Sequence, residues 1–410
     1  MKIAIVSQYY HPEPVSIPTT LAEELARRGH QVIVITGFPN YPLGELYAGY
    51  RLRWRQREHV RGVTIIRVPL IPDHSSRAAR RIANYASFAA SSATVLRSIR
   101  GADAVYVYAT QMTAAAGPSL WRLLGGSPYV LHVQDLWPES ITGSSLIGSS
   151  PAVKLVAATL TPWLRAVYRR AAAVIAIAPT MAETLSKRVP DPSRVVTLLN
   201  WADEAPAADD DVQVDIRSGA PDATHVVYAG NLGDLQGLDT AVRAAAEVGG
   251  GDRFRLHLFG SGVAESRLRE LARELATSNV VFHGRVSQGV LADVAEQSDF
   301  QLVSLRDLPI MRGTIPSKLQ ASLRDGVPVI ASVHGDVRAI VESDALGLAV
   351  APEDVGALAG AFRRAMAMDE TERTAMGARA REVYTSTMSL RHGVDVIESL
   401  LEQAAESGRA

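Results

Sequence analysis

The chain opens on a short β-branched and apolar run, Lys2 to Ser7, followed by a loop with three prolines and a histidine. Thr19 to Arg28 then carries apolar residues at helical spacing and stops at Gly29. Glycine is the usual residue just past a helix because it tolerates a positive φ. A second apolar run, Gln31 to Thr36, comes next. Strand, helix and strand at this spacing predict a βαβ unit, hence parallel pairing. The rhythm continues through Val63 to Val68, Ala104 to Ala109, Tyr129 to Gln134 and Ala173 to Ala178, with helical stretches between most of them.

The rhythm breaks after Asn200. Trp201 to Thr224 is rich in Asp, Ala and Pro and lacks a sustained apolar period, as a linker would. A second series follows: His225 to Gly230, Phe254 to Gly260, Val280 to His283, Phe300 to Leu305, Val327 to Ala331 and Gly347 to Val350. The expected fold is α/β, with two doubly wound Rossmann-like domains at 1–200 and 223–390 and a linker at 201–222. Residues 391–410 are expected to form a helix that packs back on the first domain. Such sheets bind ligands beyond the carboxyl ends of their strands, so the expected site is a cleft between the two halves.

Composition narrows the function. At 410 residues the chain is long for one domain. Lys plus Arg number 42 and Asp plus Glu 43, which argues against a general nucleic-acid binder. With no cysteine, disulfides, thiol catalysis and zinc–thiolate sites are excluded. The leading apolar run is only about five residues, below the roughly 7 to 15 of a signal-peptide core. No apolar stretch reaches the roughly 18 residues of a membrane span. A cytoplasmic chain is therefore expected. No G-x-G-x-x-G follows the first strand, and Walker A, G-x-S-x-G and H-E-x-x-H sequences are absent. The Asp209 to Asp211 run lies in the linker and reads as a solvated charge run, so no metal is expected.

Several segments carry candidate chemistry. LHVQDLWPESI follows an apolar strand and places His132, Asp135 and Glu139 at or beyond its carboxyl end. A packed strand histidine and a capping aspartate are the plainer readings. TIPSKLQASLRDG reads as a helix with Pro316 at its first position, running to about Asp325. Its free N–H groups near Ser317 and Lys318 form an anion site, and a lysine there runs against the helix dipole. YAGNLGDLQG is a strand and a loop whose Gly230, Gly233 and Gly237 allow close backbone approach. Gly260-Ser261-Gly262 is a similar strand-to-helix turn. Arg77 to Arg100 has a helical apolar stripe with Arg77, Arg80 and Arg81 at its start, downstream of the basic stretch RLRWRQREHVR. Such a face suits anionic lipid, although solvated arginines on an ordinary helix read as well.

In order along the chain, these motifs and QYYHPEP, LLNWAD, LFGSG, FHGRV and DGVPVIASVHGD resemble family-4 retaining glycosyltransferases of the GT-B fold. The branch they are most similar to is that of bacterial exopolysaccharide and O-antigen enzymes, of the colanic-acid fucosyl and N-acetylfucosaminyl types. The resemblance implies transfer of a sugar from a nucleotide diphosphate to a glycan or polyprenyl-linked acceptor, with retention, no cofactor and no essential metal. A deoxy or N-acetylamino hexose is the expected sugar. It further implies that His132, Asp135 and Glu139 line the sugar pocket. The donor would be held by Gly230, Asn231, Gln236, Gly260, Gly284, Arg285, Ser317, Lys318 and Gln320, with Ser16 and Phe38 to Tyr41 near phosphate and acceptor.

The chain departs from the family at several points. Asn231 and Gln236 stand where many members carry Arg and Lys, which shifts diphosphate charge to Lys318, Arg306 or Arg312. Gly313 and Ala321 stand where many carry a glutamate pair, leaving Gln320 as the neighbour able to bond a ribose hydroxyl. Two rival readings follow: a GT-B nucleotide-sugar 2-epimerase, and a binding subunit without catalysis.

Overall fold

The computed structural model describes residues 1–75, 77–142, 151–204, 213–250 and 252–409. The chain divides into two compact units, Met1–Leu199 with Leu390–Ala410, and Asn200–Ser389.

In the first unit the strands are β1 (Lys2–Ser7), β2 (Gln31–Gly37), β3 (Gln56–Val60), β4 (Val63–Val68), β5 (Ala104–Ala109), β6 (Tyr129–Val133), β7 (Ala173–Ala176) and β8 (Val195–Thr197). They form one sheet in the order β3-β4-β2-β1-β5-β6-β7-β8. The central strands are almost wholly buried, which is why they read as continuous apolar runs. The two edges escape that signature. β3 comes from the basic stretch, is half-exposed, and pairs antiparallel to β4, so the all-parallel expectation fails at this edge. β8 is only three residues long and half-exposed.

The second unit holds β9 (Thr224–Ala229), β10 (Phe254–Phe259), β11 (Val280–Gly284), β12 (Phe300–Ser304), β13 (Val329–Ser332) and β14 (Gly347–Val350). All pairs are parallel, in the order β11-β10-β9-β12-β13-β14. The winding reverses between β9 and β12, the switch point at which such sheets take ligands. β9 pairs with β10 from Thr224 to Ala229 but with β12 only at Val226 and Val227. The two central strands therefore part before their carboxyl ends. The core of this unit gathers Val226, Leu256, Leu258, Phe300, Leu302 and Phe362.

Some expected boundaries move. The first helix spans Ser16–Arg27, three residues earlier than its apolar period indicates, because Pro18 falls in the first turn, where no N–H is needed. The Arg77 to Arg100 stretch is two helices, Ala78–Ala93 and Leu96–Ile99. The Thr94 hydroxyl donates to the Ser91 carbonyl at 2.7 Å where the first ends. Pro316 is not the first helical residue. It caps the helix Ser317–Asp325 with extended ψ of 141°.

The expected linker is in part ordered structure of the second unit. Ile216 is buried, and Arg217 pairs with Asp299 at 3.0 Å and donates to the Gln297 carbonyl at 2.9 Å. Asp209 to Asp211 lie outside the described residues. The helix Leu390–Arg409 belongs to the first unit. Arg28 contacts its Asp395 at 2.7 Å and Glu398 at 2.5 Å, and His30 reaches Glu398 at 2.5 Å.

Candidate active site

In the second unit three glycines lie at the carboxyl ends of neighbouring strands. Gly230 follows β9, Gly260 follows β10, and Gly284 ends β11. The Gly230 N–H donates to the Phe259 carbonyl at 3.0 Å, and the Gly260 N–H to the Gly284 carbonyl at 2.7 Å. Gly260 has φ +122°, and a Cβ there would lie 1.8 Å from the Gly230 carbonyl oxygen. Only glycine permits this backbone crossing. The Asn231 Nδ2 and the Gln236 Oε1 both lie within 2.6 Å of where a Gly233 Cβ would be. Asn231 is exposed, Gln236 is half-buried, and the Gln236 Oε1 has no hydrogen-bond partner among the described residues.

At the switch point the helix Ser317–Asp325 follows β12 and brings the Lys318 side chain beside Gly230. Pro316 supplies no side-chain cap, so the first N–H groups of the helix carry an uncompensated partial positive charge. The Lys318 Nζ sits 3.6 Å from the centroid of the Tyr228 ring on β9. A Cβ on Gly230 would lie 3.4 Å from that Nζ. Among the described residues no carboxylate lies within ion-pair distance of Lys318. Burial of the ammonium end pulls its pKa down to about 7. A desolvated cation beside open helix N–H groups has the charge and donors that suit an anion with several oxygens.

The other expected phosphate cations are already engaged. Arg306 bonds Asp239 at 2.9 Å and Glu353 at 2.6 Å. Arg312 pairs with Asp307 at 3.2 Å. Their charge is largely compensated, which leaves Lys318 as the cation without a carboxylate. The Gly335 turn sets the segment ahead of this helix: its φ is +79°, and a Cβ would fall 1.9 Å from the Arg312 carbonyl oxygen. Ser317 is exposed, Gln320 is buried, and Arg285 is exposed just beyond Gly284.

In the first unit the row Ser7–Tyr108–His132 crosses β1, β5 and β6 at their carboxyl ends. His132 is 0 % exposed, so its ring lies behind the surface. The Tyr106 hydroxyl bonds His132 Nδ1 at 2.5 Å, and burial lowers the ring pKa to about 3. The ring is neutral, and its Nε2 has no partner among the described residues. The neighbouring Gln8, just past β1, also keeps a buried Oε1 without a partner while its amide donates to Asn84 at 2.6 Å.

Asp135 is exposed to water, yet its protein surroundings raise its pKa, with Arg81 pulling the other way. Burial pushes the Glu139 carboxyl up, but hydrogen bonds from Arg188 outweigh it and hold the pKa low. Glu139 is thus tied to Arg188. Arg81 is not part of an exposed basic face. It lies over the Tyr85 ring at 5.8 Å and donates to its hydroxyl at 2.9 Å. Arg77 and Arg80 do face water.

Glu13 carries a role that the sequence did not suggest. Its buried carboxylate accepts the N–H groups of Tyr10 at 3.0 Å, Asn40 at 2.8 Å and Tyr41 at 2.8 Å. It thereby ties the loop after β1 to the Phe38–Tyr41 turn after β2. The available signal was a lone glutamate between two prolines beside aromatic residues. Ser16 is half-buried at the start of its helix, and the Tyr41 ring lies tilted against Tyr9, with centroids 4.9 Å apart.

Two family models match in succession: the glycosyl transferase 4-like domain over residues 18–201 and glycosyl transferases group 1 over residues 223–368. WcaI of Escherichia coli, provisionally named a colanic acid biosynthesis glycosyl transferase, is 28% identical over 89% of this chain and 92% of its own. WbjE of Pseudomonas aeruginosa, also provisionally named a glycosyltransferase, is 22% identical over 70% of this chain and 72% of its own. Among solved structures, sucrose-phosphate synthase from Thermosynechococcus elongatus covers 99% of both chains with a TM-score of 0.69 at 19% identity. HepE of Anabaena, in complex with UDP, covers 98% of this chain and 99% of its own with a TM-score of 0.70 at 14% identity.

Proposed function

We propose that this chain, a GT-B-fold glycosyltransferase related to the colanic-acid type, moves a sugar from a nucleotide diphosphate to a hydroxyl of a glycan or lipid-linked acceptor during surface polysaccharide synthesis. The observation that carries this reading is Lys318. It is a cation without a carboxylate, held at an open helix N-terminus beside the Gly230 backbone at the switch point of the second sheet. A diphosphate matches that site in charge and in acceptor count. HepE was solved with UDP, which supports the same ligand class here.

The reaction follows from what the residues offer. Helix N–H groups and Lys318 stabilise the charge that grows on the leaving diphosphate as the anomeric bond breaks. Holding donor and acceptor in register supplies the rest of the acceleration. Retention is the stereochemistry we assign by family resemblance. Asp135 stands on the sugar side in this reading, and the sealed, neutral His132 backs the same strand end from within the sheet. Glu139 acts through its bond to Arg188 as a support. Gly260, Gly284, Arg285, Ser317, Asn231, Gln236 and Gln320 surround the nucleotide.

No metal step is proposed. Among the described residues no cluster of three or more His, Asp or Glu could hold an ion, and the helix end with Lys318 supplies positive charge at the phosphate. Peripheral contact with anionic lipid is also proposed. Leu52 and Trp54 are 48 % and 69 % exposed between the exposed arginines Arg51, Arg53 and Arg55. Arg77 and Arg80 face water as well, and no described helix is long and apolar enough to cross a membrane.

The direct test is a thermal-shift screen of nucleoside diphosphates and their sugars, since a true donor raises the melting temperature by mass action. Turnover is then followed with and without acceptor, and with excess EDTA. Product formed only with acceptor and unaffected by EDTA is the expected result. Conversion of donor alone would make the chain an isomerase.

A further inference from the structure

Three histidines on adjacent strands of the second unit form one continuous hydrogen-bonded row. His225 on β9 contacts the Ala220 carbonyl through Nε2 at 3.0 Å. Its Nδ1 lies 2.9 Å from Nε2 of His257 on β10. The His257 Nδ1 lies 3.0 Å from Nε2 of His283 on β11. Successive ring centroids are 5.2 Å apart, and His283 then stacks on Phe259 at 4.1 Å and 4°. In the sheet register His225 faces Arg255, and His257 faces Val281. Each step therefore advances two residues towards the carboxyl ends. The row starts at the amino end of the sheet and finishes beside Gly284, where the strands present their ligand-binding edge.

Elementary hydrogen-bond rules set the protons in this row. A carbonyl oxygen only accepts, so His225 donates from Nε2. Burial lowers the pKa of all three rings, His257 to about 3, so each is neutral and carries one proton. The His225 Nδ1 is then an acceptor, and His257 must donate from Nε2. By the same step His283 must donate from Nε2. Its Nδ1 is left as a lone pair in a fixed tautomer. Among the described residues that atom has no hydrogen-bond partner and is not sealed from solvent.

We infer that His283 reads the nucleoside of the donor: its Nδ1 accepts a hydrogen bond from an N–H or O–H group of the base or ribose. His225 and His257 are positioning residues that hold this tautomer. The inference rests on the second unit being the donor-binding half. It has a chemical consequence. A fixed acceptor favours a base edge that donates, such as a pyrimidinedione N3–H, and disfavours cytosine or adenine, which present an acceptor at the equivalent ring nitrogen.

The test is a long-range proton–nitrogen NMR correlation of the histidine rings in the full chain. Three Nε2–H tautomers are expected. Adding UDP, or GDP or dTDP where UDP does not bind, moves the His283 Nδ1 resonance in the direction of an accepted hydrogen bond. By calorimetry His283→Phe weakens that diphosphate about 5- to 10-fold, as for one neutral hydrogen bond. The N-methylated base analogue abolishes the difference between wild type and variant if the base is the donor. The 2′-deoxy analogue abolishes it if the ribose is. His225→Phe releases the lock, and the His283 signals then show mixed tautomers. A diphosphate that binds while the wild-type His283 Nδ1 stays unmoved overturns the inference, as does an Nδ1–H tautomer of His283. Failure of all three diphosphates to bind removes the donor-half reading, and this inference with it.

Discussion

The Lys318 ammonium lies 3.6 Å from the face of the Tyr228 ring, on a strand ninety residues earlier in the chain. The ring's negative face holds the cation by a cation–π contact, and the low-polarity surroundings bring its pKa down to about 7. The charge is kept in place without a carboxylate that would compete with a ligand.

Lys318→Ala is therefore expected to weaken donor diphosphate binding about 10- to 150-fold, the range for losing one charge-assisted hydrogen bond. Calorimetric titration measures it. In wild type, affinity is expected to be level below about pH 7 and to fall above it, because the neutral amine must take up a proton to bind. Stability has the opposite slope. The unfolded lysine holds its proton up to about its usual value, so native stability from this group rises with pH above about 7. Lys318→Met flattens both trends. Unchanged binding in Lys318→Ala would move the diphosphate elsewhere.

Glu13 accepts three buried backbone N–H groups from two different loops. Glu13→Ala leaves them unpaired and is expected to destabilise the first unit by about 3 kcal/mol, read from denaturant unfolding. Burial raises the Glu13 pKa against the pull of those N–H groups. The folded state thus holds the proton more tightly than the unfolded state. Stability from this group is full below the unfolded carboxyl pKa and is lost as pH rises through the folded one. Glu13→Gln should remove that slope, and persistence of the slope would assign it to another group.

Gly260 and Gly284 both have positive φ, at +122° and +76°, but differ in space. A Cβ at Gly260 meets the Gly230 carbonyl oxygen at 1.8 Å, whereas one at Gly284 meets nothing within 4 Å. Gly260→Ala is expected to cost at least about 3 kcal/mol and to abolish nucleotide binding, and Gly284→Ala to cost about 1 kcal/mol. Thermal melting of the two variants checks the contrast. Equal melting temperatures would mean that the strand ends are looser than this packing implies.

Trp54→Ser and Arg53→Gln are expected to reduce sedimentation with anionic vesicles while leaving melting unchanged, because both residues are exposed. Wild-type binding should weaken as salt screens the charges. Equal binding of all three proteins to neutral vesicles would refute the lipid reading.

Buried parallel strands announce themselves, because both faces must be apolar. Most strands of both sheets were therefore legible to within two residues, as Ala104–Ala109 and Gly347–Val350 illustrate. The glycine turns and the lysine at a helix start were legible for a related reason. Each breaks a local rule, and a broken local rule points to a constraint imposed from elsewhere in the fold, such as the backbone crossing at Gly260. β3 and β8 were not legible, since half-exposed edge strands need no apolar face.

By itself the sequence determined the α/β class, the two series of strands and the family resemblance, since these rest on local pattern. The tertiary structure alone decided which charges are free. Arg306, Arg312 and Lys318 look alike in sequence, yet carboxylates engage the first two and an aromatic face holds the third. It also decided that His225, His257 and His283 touch, because only the strand register places them in one row. Periodicity reports which face of an element is buried, whereas a site depends on which faces meet. That is set by pairing between segments far apart in the chain.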